Sequence, residues 1–286
     1  MANLKEIRNR IASVSSTMQI TSAMKMVSAA KLKKAQDAIT AMRPYANKLT
    51  ELLQSLSATL DADSGSKFST QREIKKVLIV AITSNRGLAG AFNSNIIKEV
   101  NRLTTKTYAN QEVSYVAIGK KANDAFKKSN RVIANESAIY EDLNFENVAE
   151  IAKTLMDKFV FGEFDKIEIV YNKFKNAATQ EIMVEQFLPI VPVAGSVNTN
   201  ADYLFEPSKL EIVEQLIPKS LKTQLYKAIR DSFASEHGAR MTAMHKATDN
   251  ATELRDQLKL TYNKARQAAI TNEILEIVGG AEALSS

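Results

Sequence analysis

The chain has 286 residues, of which 45% are hydrophobic and 24% charged, a composition that is ordinary for a globular protein of one or two domains. It contains no cysteine, which excludes disulfides and thiolate metal sites, and no apolar run approaches the ~20 residues of a membrane span. The formal net charge is +6, and residues 1–60 alone hold nine Lys and Arg against three Asp and Glu, so nucleic acid or an acidic protein surface is a candidate partner.

The first sixty residues carry apolar side chains at alternating steps of three and four, which predicts one long helix with a coiled-coil seam. Pro44 should kink this helix because proline cannot donate a hydrogen bond to the carbonyl of Thr40. Glu6 and the unbroken helical pattern argue against an organellar transit peptide. The predicted seam comprises Leu4, Ile7, Ile11, Val14, Met18, Thr21, Lys25, Ser28, Leu32, Ala35, Ile39, Met42, Ala46, Leu49, Leu53, Leu56 and Leu60.

Three consecutive positions of this seam are polar, and apolar residues beside them move off the seam. Either the coiled coil repacks locally, or this stretch presents an apolar face to something outside the helix pair. Flexible methionine side chains suit a surface that must adapt to a partner. The polar positions are Thr21, Lys25 and Ser28, and the displaced residues are Ile20, Met24 and Val27.

A polar stretch at 61–73 predicts a linker, after which the hydrophobic period changes from that of a helix to that of strands. The apolar run at 77–82 is typical of a strand buried on both faces. Strands and helices then alternate, which predicts an α/β domain with a largely parallel sheet at 74–193. The predicted strands are 77–82, 113–118, 131–134, 166–171 and 181–188, and the predicted helices are 91–106, 120–128 and 145–161 with Asn144 as N-cap.

The middle domain offers no catalytic constellation. Its strand–turn–helix at 83–90 lacks both GxGxxG and GK[ST], so a structural turn is favoured over a nucleotide site. No Ser/His/Asp set can be assembled, no carboxylate is paired at a buried spacing, and His237 and His245 have no metal-ligand spacing and are expected to be packed or solvated. The sequence therefore predicts no catalytic, cofactor or metal site, and a dinucleotide-binding oxidoreductase is kept as the enzyme alternative.

A second polar linker is predicted at 194–207, and a second long helix at 208–286. Pro218 is expected to divide this helix, and Gly279–Gly280 to end it. If the linkers hold the two long helices close together, the helices run antiparallel. We therefore predict an antiparallel coiled coil of N- and C-terminal helices with a Rossmann-like α/β domain inserted between them. The C-terminal seam is predicted at Met244, Ala247, Ala251, Leu254, Leu258, Ala265, Ala268 and Leu275.

Five segments resemble one family. ITSAMKMVSAAKLKKAQ (20–36) resembles the N-terminal signature of the gamma subunit of F-type ATP synthases. SEHGARMTAMHKATDNA (235–251) and YNKARQAAITNEILEIVGGAEAL (262–284) resemble its C-terminal signature, and SNRGLAGAFN (84–93) and DYLFEP (202–207) are similar to its middle segments. The resemblance covers essentially the whole chain, in order and without a large gap.

The resemblance implies a central-stalk rotor subunit of a bacterial, proton-translocating ATP synthase, which couples rotation of the c-subunit ring to conformational cycling of the catalytic beta subunits. It implies a helix pair inside the alpha and beta hexamer, and a foot that binds the epsilon subunit and the c ring. The chain is then peripheral at the cytoplasmic face of the plasma (inner) membrane, meets the membrane only through the c ring, and binds no cofactor and no nucleic acid. The alternative is a basic coiled-coil nucleic-acid-binding protein.

The resemblance also implies roles for individual positions. Beta-subunit contacts fall on Met24, Lys25, Arg266 and Gln267, and contacts with the c ring or epsilon fall on Asn85, Arg86, Gly87, Tyr203 and Glu206. It implies that Lys33, Lys34 and Arg43 supply positive charge that faces acidic loops of the beta subunits. It also implies that the helix tip at 268–278 lies in an apolar ring at the top of the hexamer.

Overall fold

The computed structural model describes residues 4–57, 67–129, 131–190 and 209–285, so the second predicted linker lies outside the described residues, as does the first up to residue 66. The chain forms two compact units: a terminal unit of Met1–Ser28 with Met241–Ser286, and a central unit of Ala29–Arg240. Both long helices contribute residues to each unit. The predicted division into 1–60, 74–193 and 208–286 follows the linkers instead and stays a prediction.

Helices and strands follow the predicted order, and the predicted strands agree with the observed ones to within a few residues. The helices are α1 (Leu4–Ser57), α2 (Phe92–Arg102), α3 (Lys120–Phe126), α4 (Phe145–Val160) and α5 (Lys209–Ser285). The strands are β1 (Lys76–Ile82), β2 (Glu112–Ile118), β3 (Val132–Asn135), β4 (Lys166–Phe174) and β5 (Gln180–Leu188). Leu103–Thr107 forms a π-helical turn, and 3₁₀ turns lie at Lys127–Ser129 and Ser137–Tyr140. Asn144 caps α4 as predicted, since its side-chain oxygen accepts from the Asn147 amide at 2.8 Å.

The five strands form one sheet in the order β3-β2-β1-β4-β5. β1 pairs in parallel with β2 and β4, β2 pairs in parallel with β3, and β5 runs antiparallel beside β4. The prediction of a largely parallel sheet is therefore confirmed. The chain moves outward from β1 to β3 and then returns to the other side of β1, so a topological switch point lies between β1 and β4. Ligands of such sheets bind outside the carboxyl ends of the strands at this point.

Two hydrophobic cores cover the two faces of the sheet, which explains why β1 reads as a continuous apolar run: all its residues from Val77 to Ile82 have no exposed surface. Alternate residues of β1 join different cores. One core contains Leu78, Val80 and Ile82 with residues of α4 and α5. The other contains Val77, Ile79 and Ala81 with residues of α2 and α3.

The seam predicted for α1 is confirmed where side chains are described. Ile7, Leu32, Ala35 and Ile39 are buried at predicted seam positions, and so are the polar residues Thr21 and Ser28. Of the residues predicted to lie off the seam, Ile20 is 60% exposed and Val27 57% exposed, whereas Met24 is half-buried. Steps of three and four therefore identified the covered side of α1 correctly.

The seam predicted for α5 is only partly correct. In the terminal unit the hydroxyls of Thr21 and Thr248 lie 2.8 Å apart, and the Thr252 hydroxyl donates to Met18 Sδ at 3.3 Å. The residue numbers of the contacting residues therefore decrease along α1 as they increase along α5. This confirms that the two helices run antiparallel. Met244 and Ala251 are buried, but Leu254 is 47% exposed and Leu275 63%.

The position after Ala251 on the covered side of α5 is Arg255, not Leu254. The Arg255 guanidinium donates to Met18 Sδ at 3.5 Å, and its side chain is 23% exposed. Its aliphatic stem can cover apolar surface while its charge stays near water. Arg255 was not predicted because the α5 seam was inferred from the spacing of small and apolar residues only.

Two predictions about helix ends were wrong. α5 runs unbroken from Lys209 to Ser285, so neither Pro218 nor Gly279–Gly280 interrupts it. Glycine costs a helix interior only about 1 kcal/mol, which a long helix tolerates. Pro218 has no backbone N–H, so one turn of α5 lacks a hydrogen bond. The neighbouring residues Ile217 and Leu221 are buried in the core shared with α4, and this packing stabilises that turn. Pro44 lies inside α1, and the kink expected there stays a prediction.

We expect Ala251→Asp to destabilise the purified chain by about 1–3 kcal/mol, because it places a charge on the covered side of α5. Leu254→Asp is the matched control, since it introduces the same charge and a similar loss of helix propensity at an exposed position, and should cost less than about 1 kcal/mol. Urea unfolding followed by circular dichroism measures both. Equal losses in the two variants, or a larger loss for Leu254→Asp, would contradict the observed seam.

Candidate functional site

The carboxyl end of β1 is where this sheet topology places a ligand site, and it is formed by residues 83–90. Thr83 and Ser84 are fully buried there. The Ser84 hydroxyl donates to the carbonyl of Arg86 at 2.6 Å, and the Ser84 amide donates to Asn93 Oδ1 at 2.9 Å. The loop therefore uses its own polar groups to hold its shape.

Helix α5 occupies this end of the sheet. The Ser235 hydroxyl donates to the carbonyl of Asn172 at 2.9 Å, at the end of β4. Ala239 packs with Ala89 and Phe92 in a small buried cluster. The space outside the carboxyl ends of β1 and β4, where proteins of this topology hold a ligand, is thus lined by a helix of the same chain.

Arg240 ties α5 to the loop after β1. Its guanidinium donates to the carbonyls of Arg86 and Gly87, each at 3.2 Å, and forms an ion pair with Glu236 one turn earlier. Both side chains of this pair are about nine-tenths buried, with 8% and 10% exposed. Burial raises the pKa of Glu236, although Arg240 and, more weakly, Lys31 act in the opposite direction.

A second buried charged group lies on the α2/α3 side of the sheet. Glu168 on β4 accepts a hydrogen bond from the Tyr108 hydroxyl at 2.5 Å and pairs with Lys166 at 2.8 Å. Burial, followed by the hydrogen bond to Glu168, raises the pKa of Tyr108 to about 12. Both buried pairs correct the sequence analysis, which found no carboxylate paired at a buried spacing. The i,i+4 spacing of Glu236 and Arg240 was the available signal, but spacing alone does not tell which side of a helix is covered.

The residues predicted to contact the c ring or epsilon differ in how accessible their side chains are. The Asn85 side chain is used within the domain, since its amide donates to the Ser137 carbonyl at 2.9 Å and its oxygen accepts from the Lys120 amide at 3.0 Å. Arg86 and Gly87 are exposed. Tyr203 and Glu206 lie outside the described residues. Their contacts with partner subunits stay predictions.

Met24 and Lys25, two predicted beta-subunit contacts, are half-buried on α1. Beside them the terminal unit has an open groove of about 360 Å³ lined mainly by side chains of α1. Met26 at its edge is 64% exposed. The groove residues are Met18, Gln19, Ser22, Ala23, Met26 and Thr248.

The other two predicted beta-subunit contacts, Arg266 and Gln267, are exposed on α5. The residues that follow them leave large apolar side chains uncovered: Ile270, Ile274, Leu275, Ile277 and Val278 are each 49–65% exposed. Lys33 and Lys34 are exposed on α1, and the Arg43 side chain lies outside the description. Each predicted contact on α1 and α5 whose side chain is described is thus at least partly accessible, while its role stays a prediction.

The two histidines are packed and solvated respectively, as predicted. His237 is 5% exposed, lies edge-to-face on the Phe233 ring at 4.5 Å, and has no hydrogen-bond partner for either ring nitrogen among the described residues. Burial, helped by the positive charges of Arg240 and Lys31, lowers the pKa of His237 to about 4. His245 is exposed, with Nδ1 3.3 Å from Asp249 Oδ2.

Within the described residues, no helix is both long and apolar enough to cross a bilayer. No group of three His, Cys, Asp or Glu side chains there is placed to hold a metal ion.

Comparison with known proteins gives a consistent family. A family model described as ATP synthase matches residues 3–284. The chain is 74% identical over 285 residues to the ATP synthase gamma chain of Flavobacterium psychrophilum, with 99% of each chain covered. It is 73% identical over 286 residues to the ATP synthase gamma chain of Flavobacterium johnsoniae, with both chains fully covered.

Among solved structures, the fold is similar to that of a chain in the OSCP/F1/c-ring structure of the Euglena gracilis mitochondrial ATP synthase. The TM-score is 0.70 at 22% identity, and the match covers 98% of this chain and 94% of that one. At this identity the likeness concerns the fold alone, and it agrees with the long terminal helices and the central sheet described above.

We expect the free energy of unfolding to fall as the pH drops from about 6.5 towards 4, by up to about 3 kcal/mol from His237 alone. Above that window the histidine is neutral in both states. Within it the unfolded chain binds a proton that the folded chain, with the pKa of His237 lowered to about 4, does not bind. Urea unfolding at a series of pH values measures the effect.

The His237→Gln variant should lose this part of the pH dependence, whereas His245→Gln, at an exposed position, should keep it. Glu236, whose pKa is shifted upwards, contributes in the opposite direction but is present in all three proteins, so its effect largely cancels from the differences. Parallel pH curves for the wild type and His237→Gln would show that the histidine does not bind its proton differently in the two states.

Proposed function

Because the chain belongs to the family of ATP synthase gamma chains, we propose that it is the central-stalk rotor subunit of a bacterial proton-translocating ATP synthase. In this role it couples rotation of the c-subunit ring to conformational cycling of the catalytic beta subunits. Coupling of this kind requires that each state of the partner makes different contacts with the shaft.

The observation that carries the proposal is the apolar surface that the terminal unit leaves uncovered. Ile20 and Met26 on α1 are 60% and 64% exposed, and Leu260, Leu275 and Ile277 on α5 are 63–65% exposed. Soluble monomers rarely expose contiguous apolar patches of large size, so helices with such side chains need an enclosing partner. A hexamer of alternating alpha and beta subunits around the helix pair supplies that enclosure.

The proposed beta-subunit contacts are Met24, Lys25, Arg266 and Gln267. The two residues on α5 are exposed, and the two on α1 are half-buried beside the open groove, so all four can be reached by a partner. For the c ring and the epsilon subunit we propose the loop at 85–87 with Tyr203 and Glu206. Since the side chain of Asn85 is already bonded within the domain, Arg86 is the member of the loop whose side chain is available for such a contact.

The subunit is proposed to have no catalytic residues of its own and to bind no nucleotide. Helix α5 lies against the carboxyl end of β1, and Arg240 bonds to the loop that follows this strand, so the chain's own helix takes the place where such a sheet would hold a ligand. We further propose that 74–193 acts as the foot between the helices at 1–60 and 208–286, peripheral at the cytoplasmic face of the inner membrane. A nucleic-acid-binding coiled coil is not supported, since the gamma chains match over the full length.

Reconstitution tests the proposed function directly. Alpha and beta subunits are purified with and without this chain and assayed for association and ATP hydrolysis. We expect a stable assembly whose turnover is clearly raised by the chain. Failure to associate, together with salt-sensitive retention of the chain on a DNA column, would overturn the proposal in favour of the nucleic-acid alternative.

Met24→Lys should impair coupling without impairing folding. Met24 lies off the α1 seam, so a charge there meets the partner rather than the helix pair, and we expect ATP synthesis in proteoliposomes to fall about fivefold or more. Met24→Leu is the control, because it keeps the volume and apolar character and should retain synthesis. Thermal unfolding of the purified variants checks the fold. Undiminished synthesis by Met24→Lys would remove Met24 from the proposed contacts.

A further inference from the structure

Side-chain hydrogen bonds join α1 and α5 within the terminal unit. The hydroxyls of Thr21 and Thr248 lie 2.8 Å apart, and Thr21 is only 9% exposed. Close beside them, Met18 Sδ accepts hydrogen bonds from the Thr252 hydroxyl at 3.3 Å and from the Arg255 guanidinium at 3.5 Å. We call these five residues the polar layer of the helix pair.

The bond between the two threonines depends on how the helices are aligned along their axes. Thr21 Oγ1 lies 3.1 Å from the carbonyl oxygen of Met18, and Thr248 Oγ1 lies 2.8 Å from that of Met244. Each hydroxyl has one proton, so one threonine donates to a carbonyl of its own helix while the other donates to it across the helix pair. The cross-helix bond therefore forms only where the two hydroxyls are level with each other.

The apolar seam around the polar layer distinguishes poorly between alternative alignments. Three buried or half-buried positions of α5 in the terminal unit are alanines, namely Ala247, Ala251 and Ala265. Alanine projects little beyond the helix surface, whereas the interlocking of larger side chains is what favours a single arrangement. A polar residue on the seam of a coiled coil specifies the register instead, at some cost in stability.

We propose that Thr21 and Thr248 are positioning residues that fix the register of the helix pair. A shift of α5 by one heptad keeps equivalent positions on the seam, but it places Met241 or Arg255 opposite Thr21. Met241 offers only a weak thioether acceptor, and Arg255 would carry its charge to a level of the seam that is almost fully buried. In both cases the bond between the two hydroxyls is lost.

The register matters for the proposed function, on which this step of the inference rests. The proposed beta-subunit contacts Met24 and Lys25 follow Thr21 on α1 within about one turn, and Arg266 and Gln267 lie on α5. A shift by one heptad moves the two sets of contacts by about 10 Å relative to each other along the helix axis. A partner that binds both sets at once would then meet only one of them.

The test is the double variant Thr21→Val/Thr248→Val in the full-length chain, with the register measured by disulfide formation. Valine keeps the branched shape of threonine and removes the hydroxyl. The chain contains no cysteine, so the reporter pair Ile7→Cys/Tyr262→Cys, two heptads from the threonines, cross-links without competition in the observed register. The pair Ile7→Cys/Ala269→Cys reports a shift by one heptad.

We expect the first reporter to cross-link in preference to the second, and the double valine variant to reduce this preference about fivefold or more, since one net hydrogen bond is lost. The melting temperature should stay the same or rise, because replacing both partners of a hydrogen bond by apolar groups of the same shape can be neutral or stabilising. A lower melting temperature with an unchanged disulfide ratio would show that the threonines only stabilise the pair, and would overturn the proposal.

The matched control is Thr17→Val/Thr261→Val, which makes the same substitution once on each helix. Both threonines are exposed, and each hydroxyl donates to a carbonyl four residues earlier, those of Ser13 and Gln257, at 3.0 Å. The control should keep the disulfide ratio of the unsubstituted chain. An equal change in the control would mean that valine itself shifts the helices, and the cross-helix bond would then have no part in setting the register.

The cysteine-free variants are then assembled with the other subunits in proteoliposomes. We expect ATP synthesis to fall about twofold or more in the double valine variant and to be retained in the control, because a shifted chain presents its contacts at the wrong spacing. Failure of the unsubstituted chain to assemble would overturn the proposed function and leave the disulfide result standing. A changed disulfide ratio with undiminished synthesis would refute the role of the register in coupling.

Discussion

The packing of α5 against the carboxyl end of the sheet is the constraint on which the central unit depends. Sheets with this strand order leave a crevice at the switch point beside the first strand, and many proteins bind a nucleotide there. Here Ser235, Ala239 and Arg240 of α5 lie in that position and bond or pack against the ends of β4 and β1. In this domain a long helix packs where other proteins of this topology bind a ligand. The fold by itself therefore does not determine the function.

The buried ion pair makes that attachment specific. Taking Glu236 and Arg240 out of water is costly, and such pairs often add little net stability compared with apolar residues. The geometry supplies something that apolar packing does not, because the planar guanidinium donates to two successive carbonyls, those of Arg86 and Gly87. A shift of α5 by one turn, about 5.4 Å, would carry the ion pair along intact, since both residues lie on α5, but it would break both bonds from Arg240 to the loop carbonyls. These two bonds therefore set the register of the helix along the loop.

The sequence predicted most of the fold because its periodic signals are strong and local. The α1 seam follows from spacing and the strands from short apolar runs, whereas Leu254 was misplaced because Arg255, a charged residue, takes the covered position on α5. Gly279–Gly280 did not end α5, because a long helix tolerates the cost of about 1 kcal/mol for each glycine in its interior. The buried pairs of Glu236 and Glu168 could not be foreseen, since burial depends on long-range packing. The contact residues are a property of the assembly, and a single chain identifies only which of them are accessible.

The surfaces left uncovered on the terminal helices and on the α2/α3 side of the sheet differ in kind, and the difference separates two sorts of interaction. The terminal unit exposes apolar side chains such as Met26 and Leu275, whose attraction acts only on contact and requires water to be expelled. The central unit exposes lysines such as Lys98 and Lys120 above a sealed core, and their attraction extends about a Debye length without close packing. A shaft that must present different contacts to each catalytic neighbour needs the first kind, because shape distinguishes states.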